Sequence, residues 1–159
     1  SFIQNYKANK DLRLNKYYSL NKDNKYISIK SGKSQYNCTF RNGEMYLTAA
    51  ESAAHLNKLP EARNRLLQLM EKRYTQAGYI EKKIAVEAME QTELIKEILN
   101  ERALELAIEG HRWFDLRRTT RPSIQKVIDG QSYTLEENDA RYTLRIPQAA
   151  IDANPGLLN

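Results

Sequence analysis

Charged residues of both signs are crowded among large apolar side chains in one stretch of the chain, residues 100–118. At about 100° per residue, one helical face carries the apolar residues with Arg102 in its middle. Glutamates recur at every fourth position, and since four residues exceed a full turn by about 40°, their row winds into the apolar face. The apolar set is Ile95, Ile98, Leu99, Ala103 and Leu106, and the acidic row is Glu93, Glu97, Glu101, Glu105 and Glu109. We therefore expect buried charges on this helix.

The charged side chains of this stretch are expected to pair with one another, because an unpaired buried charge is very unfavourable. Gly110 favours an end or a bend of the helix, since a residue without a Cβ can adopt a left-handed backbone conformation. A catalytic or ligand site is the alternative, because perturbed acids also gather in active sites. We favour a structural ion network of Arg102, Glu105, Glu109, Arg112, Asp115, Arg117 and Arg118.

The segment ERALELAIEGHRWFDLRR (residues 101–118) resembles the C-terminal signature of the SusD/RagB family, which is roughly ERR-x-EL-x-FEG-x-R-x-x-DLRR. Ala103 replaces the usual second Arg, and Ile108 stands where Phe is common. Two further segments agree in the family's order, GEMYLTAAESA (43–53) upstream and YTLRIPQ (142–148) with IDANP (151–155) downstream. The resemblance covers essentially the whole chain but only the C-terminal part of a family member, so we expect a fragment of a longer protein.

The resemblance implies the mainly α, SusD-like α-α superhelix and the capture of a ligand without chemistry. Family members are held on the extracellular face of the outer membrane by a lipid anchor. They bind oligosaccharides or other nutrients and close as a lid over a SusC-like TonB-dependent transporter. On that basis the expected partners are this transporter and a nutrient, most simply a glycan, and the region of residues 1–159 is mainly scaffold. The ligand-binding residues are not indicated.

From residue 42 onward the periodicity is helical and predicts a tetratricopeptide-like helical pair. Asn42 can cap a first helix that runs to about Asn57, and Pro60 suits the first turn of the second helix. Alanines on the first helix allow the second to pack closely. The segment 76–79 is expected to end the pair, and a long helix at about residues 91–109 to stack on it. The predicted fold class is therefore mainly α, with small β-hairpins.

Two hairpins are predicted on either side of the helices. Residues 16–20 and 25–30 are β-favouring runs joined by a turn-rich segment, and residues 126–128 and 132–135 flank Asp129-Gly130. Residues 142–146 alternate like a strand that Pro147 stops, and the Pro155-Gly156 end is expected to be extended. We divide a single domain or fragment into a hairpin segment (1–40), a helical core (41–118) and a hairpin with an extended tail (119–159).

Five tyrosines lie in or near the first hairpin, and two roles are open for them. Their rings could stack on the C–H face of a sugar, or they could pack against one another. We favour packing, because nothing in the spacing requires a ligand. The residues are Tyr6, Tyr17, Tyr18, Tyr26 and Tyr36.

Composition narrows the class of protein. With 41% hydrophobic and 28% charged residues the chain is globular rather than disordered. Its net charge of +5 comes from residues 1–40, which hold eight Lys/Arg against two Asp, but without a compact basic run or RNA-binding motif, so nucleic-acid binding is not expected. The lone Cys38 excludes an intrachain disulfide and is expected to be a partly buried core residue. No segment reaches the roughly 18 apolar residues of a membrane span.

The sequence contains no pattern typical of catalysis. His55 and His111 belong to no zinc or di-iron motif, and we expect His111 to donate hydrogen bonds within the ion network. No cofactor or metal is predicted, and a calcium site at residues 136–139 lacks the spacing of a binding loop. The alternative to nutrient binding is a tetratricopeptide-like adaptor for a protein partner, which requires an exposed apolar stripe on the outer helices. A glycosidase ranks third, because the glutamates form a ladder on one helix.

Overall fold

The computed structural model describes residues 2–30, 41–154 and 156. Its described part contains eight α-helices and two antiparallel strand pairs, so the predicted mainly α fold with small β-hairpins is confirmed. The helices are α1 (Phe2–Ala8), α2 (Leu14–Tyr17), α3 (Asn42–His55), α4 (Leu59–Met70), α5 (Gln76–Ala88), α6 (Gln91–Glu105), α7 (His111–Arg118) and α8 (Gln148–Ala153). The strands are β1 (Tyr18–Leu20), β2 (Tyr26–Ser28), β3 (Ile124–Ile128) and β4 (Gln131–Leu135). Residues 1–112 and 113–159 form two compact units, each described by itself.

Helices α3 and α4 form the centre of the first unit, and α6 packs against both. The predicted position of Pro60 in the first turn of α4 is confirmed. The predicted cap was wrong, because Arg41 rather than Asn42 is the N-cap of α3; its backbone is extended while its side chain contacts Tyr17 and Glu109. The core comprises Leu47, Ala50, Ala53, Ala54, Ala62, Leu66, Leu67, Leu69, Met70, Tyr74, Val86, Leu94 and Ile98.

Helix α5 begins in the segment 76–79, which is predicted to end the helical pair. Thr75 caps it, accepting a hydrogen bond from the Gly78 backbone N–H at 3.2 Å. The glycine serves close packing rather than a turn, since a Cβ at Gly78 would lie 2.6 Å from the Asn9 carbonyl oxygen. The long helix α6 ends at Glu105, four residues before the predicted Glu109. Gly110 has the expected left-handed conformation, with φ of +81°.

Replacing Gly78 by alanine is expected to lower the free energy of unfolding by about 1–3 kcal/mol, because backbone must move to admit the methyl group. Urea denaturation measures the change. Gln76→Ala is the matched control, since it also places alanine in the first turn of α5 but at an exposed position. Equal stability of the two variants would contradict the close approach at Gly78.

The N-terminal segment is held against the end of α4. The Leu12 N–H donates to the Arg73 carbonyl at 2.8 Å, and the Thr75 N–H donates to the Lys10 carbonyl at 3.1 Å. The first hairpin, β1 with β2, is confirmed, although the predicted strand residues Lys16 and Tyr17 lie in α2 instead. These contacts bring the hairpin segment to the helical core through main-chain hydrogen bonds.

Three of the five tyrosines, Tyr6, Tyr17 and Tyr18, pack against one another, as favoured. The rings of Tyr6 and Tyr17 meet edge to face with centroids 6.4 Å apart, and Tyr18 lies 5.9 Å from Tyr6. Tyr6 is fully buried and Tyr17 is 7% exposed, so neither can stack on a sugar. Tyr36 and Cys38 lie outside the described residues.

The second unit contains the β3–β4 hairpin, which is confirmed in the predicted register around Asp129-Gly130. Both turn residues have positive φ, 50° and 78°, as a two-residue hairpin turn requires. The strand predicted at residues 142–146 is wrong. Asp139 instead caps the 3₁₀ turn Ala140–Tyr142, and the buried Tyr142 ring stacks on Trp113 at 5.0 Å.

The C-terminal segment also differs from the prediction. Pro147 does not merely stop a strand but precedes α8 (Gln148–Ala153), a helix that was not predicted. Proline is compatible with a helix start because its fixed φ suits that position and a helix N-terminus needs no N–H from it. Residues 155 and 157–159 lie outside the described residues.

Candidate functional site

Glu105, in the last turn of α6, is the centre of a buried ion network in the first unit. Its side chain is fully buried. Arg73 binds it with two hydrogen bonds of 2.8 Å, from Nε to Oε2 and from Nη2 to Oε1. Arg13 Nη1 donates to Oε2 at 3.1 Å, and Arg41 Nη2 lies 3.4 Å from Oε1. One carboxylate thus links three cations from different parts of the chain.

Glu101 lies one turn earlier on α6 and is equally buried. The Tyr74 hydroxyl donates to Glu101 Oε2 at 2.6 Å, and Arg13 Nη2 lies 2.7 Å from Oε1. The Arg13 guanidinium also binds Asp11 through Nε at 2.9 Å and Nη2 at 2.6 Å. Arg13 therefore neutralises carboxylates on both the N-terminal segment and α6.

One further cation, Lys30, lies at the carboxyl end of α6 together with Arg41. Lys30 Nζ donates to the carbonyls of Glu105 at 2.6 Å and Ala107 at 2.9 Å, and it pairs with Glu109 Oε1 at 2.6 Å. Arg41 also pairs with Glu109. Burial lowers the pKa of Lys30, although Glu109 acts in the opposite direction. A cation that binds the last carbonyls complements the helix dipole and satisfies acceptors that the helix leaves open.

The two buried glutamates have pKa values that are shifted in opposite directions. Burial raises the pKa of Glu101 above its usual 4.5, and Arg13 and Tyr74 do not offset this effect. Burial also acts to raise the pKa of Glu105, but the hydrogen bonds and charge of Arg73, with the charges of Arg13 and Arg41, hold it below 4.5. Glu105 is therefore the carboxylate that the fold keeps ionised.

Acidification is expected to destabilise the protein through Glu105. The pKa of Glu105 is lower in the folded state than in the unfolded state. Its contribution to stability is therefore present above the unfolded pKa of 4.5 and is lost as the pH falls through the folded pKa. The contribution of Glu101 to stability depends on pH in the opposite direction. Because the pKa of Glu101 is raised in the folded state, that contribution is lost as the pH rises through the folded pKa. Urea denaturation over a pH series should show a shallower acid limb for Glu105→Gln. An unchanged acid limb in that variant would contradict the lowered pKa.

The structure brings together some of the seven residues expected to pair with one another. Glu105 and Glu109 share the partner Arg41, but their contacts Arg13, Lys30 and Arg73 lie outside the signature segment. Arg102 binds Glu44 at 2.9 Å on α3. In the second unit, Arg118 Nη2 donates to Asp115 Oδ1 at 2.9 Å. Neither Arg112 nor Arg117 is among the described contacts of the buried glutamates.

His111 does not donate the expected hydrogen bond within the described part of the chain. Its Nδ1 lies 3.8 Å from Glu44 Oε1, which is within ion-pair range but too long for a hydrogen bond. The interaction therefore depends on protonation of the imidazole.

Sequence reasoning missed the cations of the network. They are Arg13, Lys30, Arg41 and Arg73, which precede Glu105 by between 32 and 92 residues. A signal was present in the charge balance, because residues 101–109 hold Glu101, Glu105 and Glu109 against Arg102 alone. An excess of buried acid requires cations from elsewhere in the chain, but it does not say which ones.

An open groove between α4 and α5 is the candidate ligand surface. Its volume of about 480 Å³ is within the range of small-molecule sites, about 300–1,000 Å³. Arg63 is fixed at its edge by a 2.6 Å hydrogen bond from Nη2 to the Met89 carbonyl, and Lys83 lies 3.7 Å from Glu87. The lining consists of Pro60, Arg63, Asn64, Leu67, Gln68, Glu71, Tyr79, Lys83 and Glu87. An aromatic ring beside amides and paired charges suits a hydroxylated ligand.

Groups of acidic, histidine and cysteine side chains that could hold a metal ion do not occur among the described residues. Within the acidic loop, Asp139 binds Arg141 through both carboxylate oxygens and caps the adjacent 3₁₀ turn. Arg141 holds the pKa of Asp139 well below its usual range. None of the described helices is long and apolar enough to cross a bilayer.

In the first unit, buried ion pairs join the helices to the N-terminal segment, and this unit is a helical scaffold. A sequence model of the SusD family matches residues 3–159, and the chain therefore belongs to the SusD family. This family is known for binding nutrients and glycans together with a TonB-dependent transporter, and its proteins are typically lipoproteins of the outer-membrane surface. No curated protein matches the chain.

Proposed function

We propose that the protein captures a nutrient, a glycan in the simplest case, at the outer-membrane surface and passes it to a SusC-like TonB-dependent transporter without chemical change. The family match over residues 3–159 is the observation that carries this proposal. A lipid anchor would hold the protein at the extracellular face.

Within this function, the charged residues of the signature segment serve as structure. The carboxylates of Glu101 and Glu105 are buried and bound by protein cations, so they are not available to a substrate. Catalysis by a pair of glutamates would require two carboxyl groups facing a cleft. The network instead joins the N-terminal segment to the helical core, which gives a binding surface a rigid support.

The α4–α5 groove is the surface that we propose for the ligand. Stacking on Tyr79 and hydrogen bonds to the amides of Asn64 and Gln68 would give modest, reversible affinity. A glycan array identifies the sugar, and titration of that sugar gives the dissociation constant. The double variant Asn64→Ala/Gln68→Ala should weaken binding at least about tenfold, which corresponds to two lost hydrogen bonds.

Gln148→Ala, which removes an exposed amide from the second unit, is the control and should leave sugar binding unchanged. Co-purification with an outer-membrane barrel would support the transporter partnership. Release of a shortened sugar during the titration would instead favour an enzyme. If the double variant still binds the sugar with unchanged affinity, the ligand-binding surface is not the α4–α5 groove.

A protein-binding adaptor is the second candidate function. The observation in its favour is an exposed apolar pair on α5, where Ile80 and Ile84 are 49% and 66% exposed one turn apart. Such a stripe is what an adaptor presents to a partner, although it equally suits another helical repeat of the same protein. Ile84→Glu would abolish capture of a protein partner if the adaptor function holds, and would leave sugar binding intact if it does not.

A further inference from the structure

The hairpin of β1 and β2 exposes apolar side chains in a region where no catalytic or ligand role has been assigned. Leu20, Ile27 and Ile29 are 55%, 47% and 42% exposed. Ile27 and Ile29 are alternate residues of an extended segment. The extended backbone continues past β2 to Ile29, whose N–H donates to the Tyr17 carbonyl at 2.8 Å. Alternate residues of extended backbone point to the same side, so the two isoleucines form one apolar row.

Positive charge surrounds these apolar side chains. Lys16, Lys22 and Lys25 are exposed in or beside the hairpin, and Lys7 of α1 lies over the Tyr26 ring with Nζ 4.9 Å from its centroid. In the described part of the chain these four lysines form no ion pair. Asp23 is the one acidic residue between residues 14 and 30. The hairpin therefore presents a surface with an excess of positive charge.

The base of the hairpin is rigid. Tyr18 packs on the buried Tyr6, the Tyr6 hydroxyl donates to the Leu104 carbonyl at 2.8 Å, and Lys30 is bound at the end of α6. The exposed row and its lysines are therefore presented from a fixed support rather than from a loose end.

We propose that the β1–β2 hairpin is a docking surface for an anionic lipid bilayer. Lysines that surround exposed aliphatic side chains match a surface whose phosphate groups are negative and whose interior is apolar. Ile27 and Ile29 enter the boundary between headgroups and acyl chains, while Lys22 and Lys25 bind phosphate oxygens. An acidic protein or a nucleic acid would satisfy the lysines but would not bury the aliphatic row. This proposal rests on the proposed function only in one respect: that function places the protein at a membrane.

Flotation of the whole chain with lipid vesicles tests this surface. We expect binding to vesicles of equal parts phosphatidylcholine and phosphatidylglycerol, no binding to phosphatidylcholine alone, and weaker binding at high salt. Each lysine near an anionic bilayer contributes about fivefold to partitioning, so Lys22→Glu/Lys25→Glu should reduce it by at least about 25-fold. Ile27→Ser/Ile29→Ser leaves the net charge unchanged and should also weaken binding, because aliphatic insertion is lost.

The matched control is Lys72→Glu/Lys96→Glu, which changes the net charge equally at exposed positions of the helical core. Equal loss of vesicle binding in the control would overturn the proposal. It would also be overturned if the protein bound soluble heparin but did not bind anionic vesicles. Circular dichroism establishes that each variant is folded. Sugar binding that is retained when the hairpin variant loses vesicle binding separates this proposal from the proposed function.

Discussion

Replacing Glu105 by glutamine is expected to lower the free energy of unfolding by about 3–5 kcal/mol, because it removes one partner from a buried network of charges. The substitution keeps the size of the side chain but leaves Arg73, Arg13 and Arg41 without their common carboxylate. All three guanidiniums donate hydrogen bonds to it, those of Arg13 and Arg73 being shorter than that of Arg41. Urea denaturation at neutral pH measures the effect.

Glu101→Gln is the sharpest comparison for this result. Glu101 is on the same helix and as deeply buried, yet burial disfavours its charge whereas the charge of Glu105 is favoured. We expect Glu101→Gln to cost only about 1–2 kcal/mol, mostly through the altered hydrogen bond from Tyr74. The exposed Glu87→Gln on α5 should be within about 0.5 kcal/mol of the parent protein. Equal costs for Glu101→Gln and Glu105→Gln would show that Glu105 is not the centre of the network.

Replacing Arg13 by alanine is expected to destabilise the protein by about 3–5 kcal/mol as well. Arg13 is 3% exposed and is in contact with Asp11, Glu101 and Glu105. Its removal leaves buried carboxylates that must be protonated or desolvated without a counterion. Thermal or urea unfolding measures the loss, and the variant should regain part of its stability at acid pH.

Two variants test the geometry of Arg13 as well as its charge. Arg13→Lys keeps a positive charge but lacks the planar fork, so it should recover only part of the lost stability. Arg65→Ala removes an arginine that is 45% exposed and 4.0 Å from Glu61, and it should change stability by less than about 1 kcal/mol. Full recovery with lysine would mean that charge alone, and not the forked hydrogen bonding, holds the segment in place.

Local signals in the sequence were sufficient for much of the fold. Pro60 indicated the start of α4, because proline fixes its own φ, and Asp129-Gly130 indicated a two-residue turn, because these residues readily adopt the positive φ that such a turn requires. The periodicity of α6 predicted buried charge within it, and Glu101 and Glu105 are buried. These features depend on residues within a few positions of one another.

The errors occurred where one residue type has two uses. The segment 76–79 is predicted to end the helical pair, but it is the first turn of α5, because a glycine also permits close packing and Gly78 lies against Asn9. The segment 142–146 alternates like a strand, but Tyr142 is buried by stacking on Trp113 within a 3₁₀ turn. In both cases a contact from a distant part of the chain selected among conformations that the local sequence allows.

The sequence by itself determined the helical class, the family signature and the presence of excess acid in the interior, since periodicity and composition are local properties. Only the tertiary structure decided which cations neutralise Glu105 and Glu101. Arg13, Arg41 and Arg73 are isolated in sequence and no different from surface residues in their local context. Charges select partners by distance in space, and the packing of α6 against α3, α4 and the N-terminal segment sets those distances.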